Sequence, residues 1–238
     1  MTEPVLSEVA GHSCRAWMPA EARGVVLYLH DEDGTVPETL PERLVGLSLG
    51  LVAPDGGRTW WSDRLLPEWD GQVTAERWVL ERLLPWLESE HGVEPPAVGL
   101  LGVGMGGQGA LRLAYKHPNT LPVAAAVSPK VDCQNVLEAG DPALRAMYRD
   151  GEDARQDSAT LHIHPLNWPR NQWFCANPED YEWFESSDRL KMKLFSLGVM
   201  HECDLETALP PAEYETVMLE RAVDFVSERL ERERLRVV

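Results

Sequence analysis

The sequence predicts an α/β fold with a mostly parallel central sheet and helices on both faces. Short apolar runs such as GVVLYLH, LVAPD, AVGLLGV and VAAAVS alternate with segments of helical periodicity. Strands that are apolar throughout, rather than at every second residue, are buried on both faces, which parallel sheets require. The chain has 238 residues, 44% of them hydrophobic, which is enough for one sizeable core. Residues 1–238 are therefore expected to form a single domain, with no internal repeat and no low-complexity segment.

HSCRAWMPA (12–20) and GVVLYLH (24–30) read as two strands, expected to pair as an antiparallel hairpin at one edge. ETLPERLVGLSL (38–49) reads as a short helix and LVAPD (51–55) as a buried strand. GGRTWWSDRLLPEWDGQ (56–72) is a turn-rich loop. TAERWVLERLLPWLESEH (74–91) carries Trp78, Val79, Leu83, Trp86 and Leu87 at helical spacing, with Thr74 placed to cap it. AVGLLGV is a strand, and a helix follows from Met105 to about His117, stopped by Pro118. VAAAVS is the next strand, and about 132–160 is an irregular, polar, helical insertion. ATLHIHPL (159–166) and QWFCANP (172–178) read as strands or extended segments, 180–198 as a helix ending at Gly198, HECDLETAL (201–209) as the last strand, and 213–236 as a terminal helix.

A formal net charge of −17 argues against nucleic acid and anionic membrane as partners. Four scattered cysteines without a CxxC pair, and an N-terminus without a basic start or apolar run, read as a cytoplasmic protein with free thiols and no membrane span. His162 and His164 would share one face of a strand, but no spacing among them, His201, Glu202 and Asp204 supports a metal site, so no metal and no cofactor are expected.

The strand–turn–helix at Val98–Tyr115 has two readings. Gly102, Gly104 and Gly107 satisfy G-x-G-x-x-G, which would cradle a pyrophosphate. That motif belongs at a first strand, with an acid at the end of the next, whereas this turn follows about four strands and VAAAVS runs into Ser128-Pro129-Lys130. The other reading is a nucleophile elbow, in which tiny residues two before and two after the apex let strand and helix approach. Gly102 and Gly106 supply these, and the apex is Gly104.

The segment GVGMGGQGA resembles the elbow of the esterase D and S-formylglutathione hydrolase-like esterases of the α/β-hydrolase superfamily, whose pattern is close to G-x-S-M-G-G-x-G-A. The resemblance extends through LYLHDEDGT, VAPDGGRTWW, KHPNTLPVAAAVSP, NPEDYEWFESSDRL and LGVMHECDLET. It implies an α/β-hydrolase fold and a Ser, Asp, His order of catalytic residues. Gly104 stands at the serine position. Asp180, with Glu179 second, matches the acid, or simply caps the helix from Tyr181. Ala212 or Pro211 falls at the histidine position, and no histidine follows His201. The oxyanion hole implied by the family uses the N–H of Met105 and the loop near Asp31, where Asp31, Glu32 and Asp33 now crowd together.

Acyl transfer needs a nucleophile, a base and an orienting acid. The expectation is therefore a non-catalytic α/β-hydrolase-fold protein that binds a small molecule in the former pocket or acts through an oligomer surface. Trp60, Trp61, Arg58 and Trp168, with Arg170, are the expected ligand-lining residues. The alternative is a carboxylic-ester or thioester hydrolase, either with a rebuilt site drawing on Cys133, Cys175, Ser128 or Ser62, or with its serine replaced by experiment.

Overall fold

The computed structural model describes residues 3–236. Eight strands form one sheet: β1 (Val5–Val9), β2 (His12–Trp17), β3 (Val25–Leu29), β4 (Gly50–Pro54), β5 (Val98–Val103), β6 (Val123–Val127), β7 (Asn171–Cys175) and β8 (Glu202–Asp204). Their spatial order is β1-β2-β4-β3-β5-β6-β7-β8. From β4 to β8 every pairing is parallel. The apolar runs explain this arrangement, because every residue of β3, β4, β5 and β6 is buried.

The expected hairpin between 12–20 and 24–30 is not formed. β2 instead pairs antiparallel with β1 on one side and with β4 on the other. Its two-residue turn is Ala10-Gly11, both at positive φ (46° and 88°), as the tight hairpin turn requires. β1 escapes a search for apolar runs because four of its five residues are not fully buried.

The helices are α1 (Thr39–Gly46), α2 (Ala75–Trp78), α3 (Leu84–His91), α4 (Gly104–Lys116), α5 (Cys133–Ala139), α6 (Pro142–Met147), α7 (Gly151–Gln156), α8 (Tyr181–Ser196) and α9 (Pro211–Arg236). A π-helical segment, Val79–Leu83, joins α2 to α3. Thr74 caps α2 by accepting from Arg77 N–H, and Gly92 (φ 64°) closes α3. The insertion folds as α5, α6 and α7. ATLHIHPL is not a strand: Ala159–His162 is a 3₁₀ turn, and only a single bridge joins His164 to Asn167.

Alternation along β3 divides the core. Val25, Leu27 and Leu29 face Trp78, Val79, Leu83 and Met105, while Val26 and Tyr28 face Leu40, Leu44, Met218, Ala222 and Val226. α1 and α9 thus cover one face, and α3, α4 and the insertion the other. α9 buries Tyr214, Met218, Ala222 and Val226 at intervals of four. Each large apolar side chain so covered contributes roughly 1.5–3 kcal/mol. No helix among the described residues is long and apolar enough to cross a membrane.

Candidate functional site

Because the strands from β4 to β8 run parallel, their C-terminal ends, and the loops that follow, share one end of the sheet. Gly104 follows β5, Asp31 follows β3, Lys130 follows β6, Asp180 follows β7 and Ala212 follows β8. Short bonds tie neighbouring loops together. Ser128 N–H donates to Cys175 C=O (2.8 Å), Ala176 N–H to Asp204 C=O (3.3 Å), and Asn177 Nδ2 to Leu209 C=O (2.6 Å).

The turn at Gly104 is built by close approach. A Cβ on Gly102 would lie 2.1 Å from Gly106 O, and one on Gly106 would lie 1.8 Å from Leu29 O. Strand β5 and helix α4 therefore pack at backbone distance on each other and on β3. Gly104 itself has φ 53°, in the left-handed region that L side chains rarely adopt.

A carboxylate fills the space in front of that apex. A Cβ on Gly104 would lie 2.4–2.5 Å from all three atoms of the Asp31 carboxylate. Asp31 Oδ1 accepts the Met105 N–H at 2.8 Å. Lys130 Nζ donates to both Asp31 oxygens at 3.1 Å and to Glu32 Oε1 at 2.7 Å, while the Lys130 N–H donates to Gly104 C=O at 3.0 Å. Burial opposes the Lys130 charge, but Glu32 and Asp31 more than offset it, so its pKa is raised. The Trp183 ring lies 5.9 Å from Lys130 Nζ. Met105 and Asp31, expected as two parts of an oxyanion hole, instead bond to each other, the Met105 N–H donating to the Asp31 carboxylate. Lys130 is the member of this cluster that sequence reasoning passes over.

The other expected positions are more dispersed. Asp180 stands at the N-terminus of α8, yet its side chain makes no capping bond. Ala212 is exposed and already within the first turn of α9, which begins at Pro211 rather than Glu213. The imidazole next to Asp31 in sequence is His30, which is 1% exposed. Its Nδ1 lies 2.6 Å from Asp31 C=O, and its Nε2 accepts from Gly56 N–H at 3.0 Å. Both ring nitrogens are thus spent on backbone, which the Nδ1–H tautomer satisfies. His201 stacks on Phe174 and bonds Val199 C=O. His162 bonds Asp157 and His164 is exposed, and no metal-holding cluster exists among the described residues.

The expected ligand-lining tryptophans lie elsewhere. Trp60 and Trp61 are 1% and 0% exposed and belong to the core, with the Trp61 side chain packed on Gly56 and Gly109. Both hold positive φ (54° and 52°), a local strain that the surrounding core maintains. Their apolar rings gain more from burial than the loop could supply at the surface. Trp168 is half-buried against the cluster around Leu194 and Phe174. Arg58 is engaged by Glu32 (2.6 Å) and Asp141, and Arg170 by Glu233.

Sequence reasoning also missed a buried ionic network behind the elbow helix. Arg112, fully buried on α4, donates to Glu76 and, at 2.5 Å, to Asp157 Oδ1. Lys116 (2.8 Å) and His117 (3.0 Å) complete Glu76, while Tyr148 (2.8 Å) and His162 (3.0 Å) complete Asp157. The only sequence signal is an arginine inside the otherwise apolar stretch GALRLAY.

Substitute thiol nucleophiles find no support in the geometry. Burial pushes the Cys14, Cys133 and Cys175 thiols up to about 12. Only the thiolate reacts. Iodoacetamide at pH 8 is expected to alkylate Cys203, the one thiol that is partly exposed, and to spare the other three until the chain unfolds. Mass spectrometry reads this directly, and rapid labelling of Cys133 or Cys175 in the folded protein would overturn it.

Comparison with known proteins agrees with this architecture. The family model described as "Putative esterase" matches residues 14–193. The MPT51/MPB51 antigen of Mycobacterium tuberculosis is 33% identical over 138 residues, covering 56% of this chain but only 44% of that antigen. Among solved structures, Mycobacterium tuberculosis MPT51 superposes with a TM-score of 0.70 at 17% identity, covering 94% of this chain and 97% of the other. The S-formylglutathione hydrolase of Staphylococcus aureus superposes with a TM-score of 0.73 at 11% identity, covering 91% and 92%. At such identities the structural likeness speaks for the fold alone. With its apex turn, sheet order and a family match over most of its length, the chain belongs to the "Putative esterase" family and has the α/β-hydrolase fold.

Proposed function

We propose that this chain is a non-catalytic member of its family that acts by binding, through the loop end of its sheet. The single observation that carries this reading is the Asp31 carboxylate, which fills the space that a side chain at residue 104 would need. Three further facts support it. Glycine supplies no nucleophile, His30 has both ring nitrogens committed to backbone, and the position expected for a base is an exposed alanine, Ala212. Loss of the nucleophile or the base alone costs about 10⁶-fold in a serine hydrolase. A negative charge at the oxyanion position also removes the residual catalysis that preorganised donors would give.

The ligand cleft in this reading opens beside the Asp31 loop. It has a volume of about 480 Å³ and is lined by Ser13, Arg15, His30, Asp33, Asp55 and Gly57 among others. That volume suits a small polar molecule. The four cysteines, none in a disulfide, support a reducing compartment such as the cytoplasm.

Turnover of p-nitrophenyl acetate tests the reading. The wild-type chain and Gly104→Ser are both expected to match the buffer blank. In the variant the new Cβ meets Asp31, and no imidazole stands ready to take the serine proton. Brisk hydrolysis by the wild type, or by Gly104→Ser alone, would overturn the proposal.

A further inference from the structure

We infer that the groove between α1 and α9 is a binding site for a small lipophilic primary ammonium ion. The groove has a volume of about 310 Å³ and shares no lining residue with the cleft beside the Asp31 loop, so this site is separate from the proposed function.

The groove forms where two helices meet. α9 presents Glu215, Thr216, Leu219, Glu220 and Val223, a stripe at helical spacing, and α1 presents Thr39, Leu40, Glu42 and Arg43. Leu40 (3% exposed), Leu219 (6%) and Val223 (1%) make an apolar floor. Glu42, Glu215 and Glu220, all exposed, stand around it. Among the described residues, none of these three carboxylates has an ion pair or a side-chain hydrogen bond. Glu32, Glu76 and Glu233, by contrast, are each held by an arginine. Arg43, the one cation in the lining, is spent on Asp224 at 2.5 Å. The dipole of α1 accounts for Glu42 in its first turn, but that of α9 does not reach Glu215 and Glu220 in its second and third turns. Desolvation, with the charges of Asp31 and Asp33, raises the Glu215 pKa. The groove thus holds uncompensated negative charge beside an apolar surface.

The ligand class follows from this inventory. The three carboxylates and the hydroxyls of Thr39 and Thr216 all accept hydrogen bonds, and an ammonium brings three donors and no acceptor. An anion would be repelled by the glutamates, and a neutral alcohol would leave their charge uncompensated. The floor suits an alkyl chain, and the volume lies at the small end of ligand pockets.

The probe is n-hexylammonium chloride, titrated into the full chain with n-hexanol and sodium hexanoate as controls at matched ionic strength. The readout is the methyl resonances of Leu40, Leu219 and Val223. Hexylammonium is expected to shift them saturably, hexanol to bind about fivefold or more weakly, and hexanoate to leave them unmoved. Glu215→Gln/Glu220→Gln should lower the hexylammonium affinity about three- to tenfold, as the loss of two exposed charge contacts implies. Thr216→Trp, which fills the groove from an exposed position, should abolish the shifts. No saturable shift in the wild type, equal affinity for hexylammonium and hexanoate, or undiminished binding by the double glutamine variant would overturn the inference. Ester turnover plays no part in this titration, so failure here is distinct from failure of the proposed function.

Discussion

Gly106→Ala is expected to abolish the native fold or to lower its melting temperature by ten degrees or more. The new Cβ would sit 1.8 Å from Leu29 O, 2.4 Å from Leu29 C and 2.6 Å from His30 O. All three are backbone atoms of β3 or the residue after it, and none can rotate away. Relief requires the start of α4 to move off the sheet, which would also break the Met105 N–H bond to Asp31 and the Lys130 N–H bond to Gly104. A displacement of that kind costs at least ~4 kcal/mol, the range reserved for gross core disruption. Against a total stability of roughly 5–15 kcal/mol, that is most or all of it. Two neighbours calibrate the measurement. Gly107→Ala places its Cβ 3.2 Å from Pro129, where a small adjustment suffices, and Gly46→Ala in α1 meets nothing within 4 Å. Thermal unfolding followed by circular dichroism should rank the three far apart. A Gly106→Ala protein melting within two degrees of wild type would refute the packing argument.

How much of this could be read from the chain alone depended on the range of the interaction. The parallel strands were legible because β3, β4, β5 and β6 are apolar at every position, and that pattern is local. The elbow was legible for the same reason, since Gly102, Gly104 and Gly106 carry its steric demands within five residues. β1 was not, because an edge strand with one half-buried face needs few apolar residues, and Val5 and Leu6 are in fact 66% and 76% exposed. Apolar runs alone therefore place the hairpin on 12–20 and 24–30, whereas it joins β1 to β2. Trp60 and Trp61 stand in a segment rich in turn residues, and nothing local reveals that the chain folds back to bury both, Trp61 against Gly109. The contact between Asp31 and Lys130 spans 99 residues of sequence, and that between Glu76 and Arg112 spans 36. The acidic loop is plain in the sequence, but the cation that neutralises it is brought there only by the pairing of β3, β5 and β6.

Arg112→Met should destabilise the protein by about 3–5 kcal/mol at pH 7, because it leaves two largely buried carboxylates without their shared guanidinium. The side-chain exposures are 0% for Arg112, 5% for Glu76 and 11% for Asp157. Methionine keeps much of the volume, so a loss due to packing alone would be small. The pH dependence separates the two causes. Burial raises the Glu76 pKa, but His117, Arg112 and Lys116 outweigh it and bring the carboxyl down to about 2, and Asp157 is likewise depressed, with His162, Arg112 and Tyr148 overcoming its burial. A carboxylate whose folded pKa is depressed contributes stability that is present above its unfolded pKa, near 4, and is lost as pH falls through the folded value. For Glu76 that contribution is on the order of 3 kcal/mol at neutral pH. Wild type should therefore weaken steadily between about pH 5 and pH 2, whereas Arg112→Met, whose carboxylates are no longer held ionised by the guanidinium, should weaken less over the same interval. Urea unfolding at pH 7 and at pH 3 should show the gap between the two proteins closing in acid. A gap of the same size at both pH values would mean that Arg112 acts only as a filler behind the elbow helix, and that the charges of Glu76 and Asp157 contribute nothing to holding α4 against the insertion.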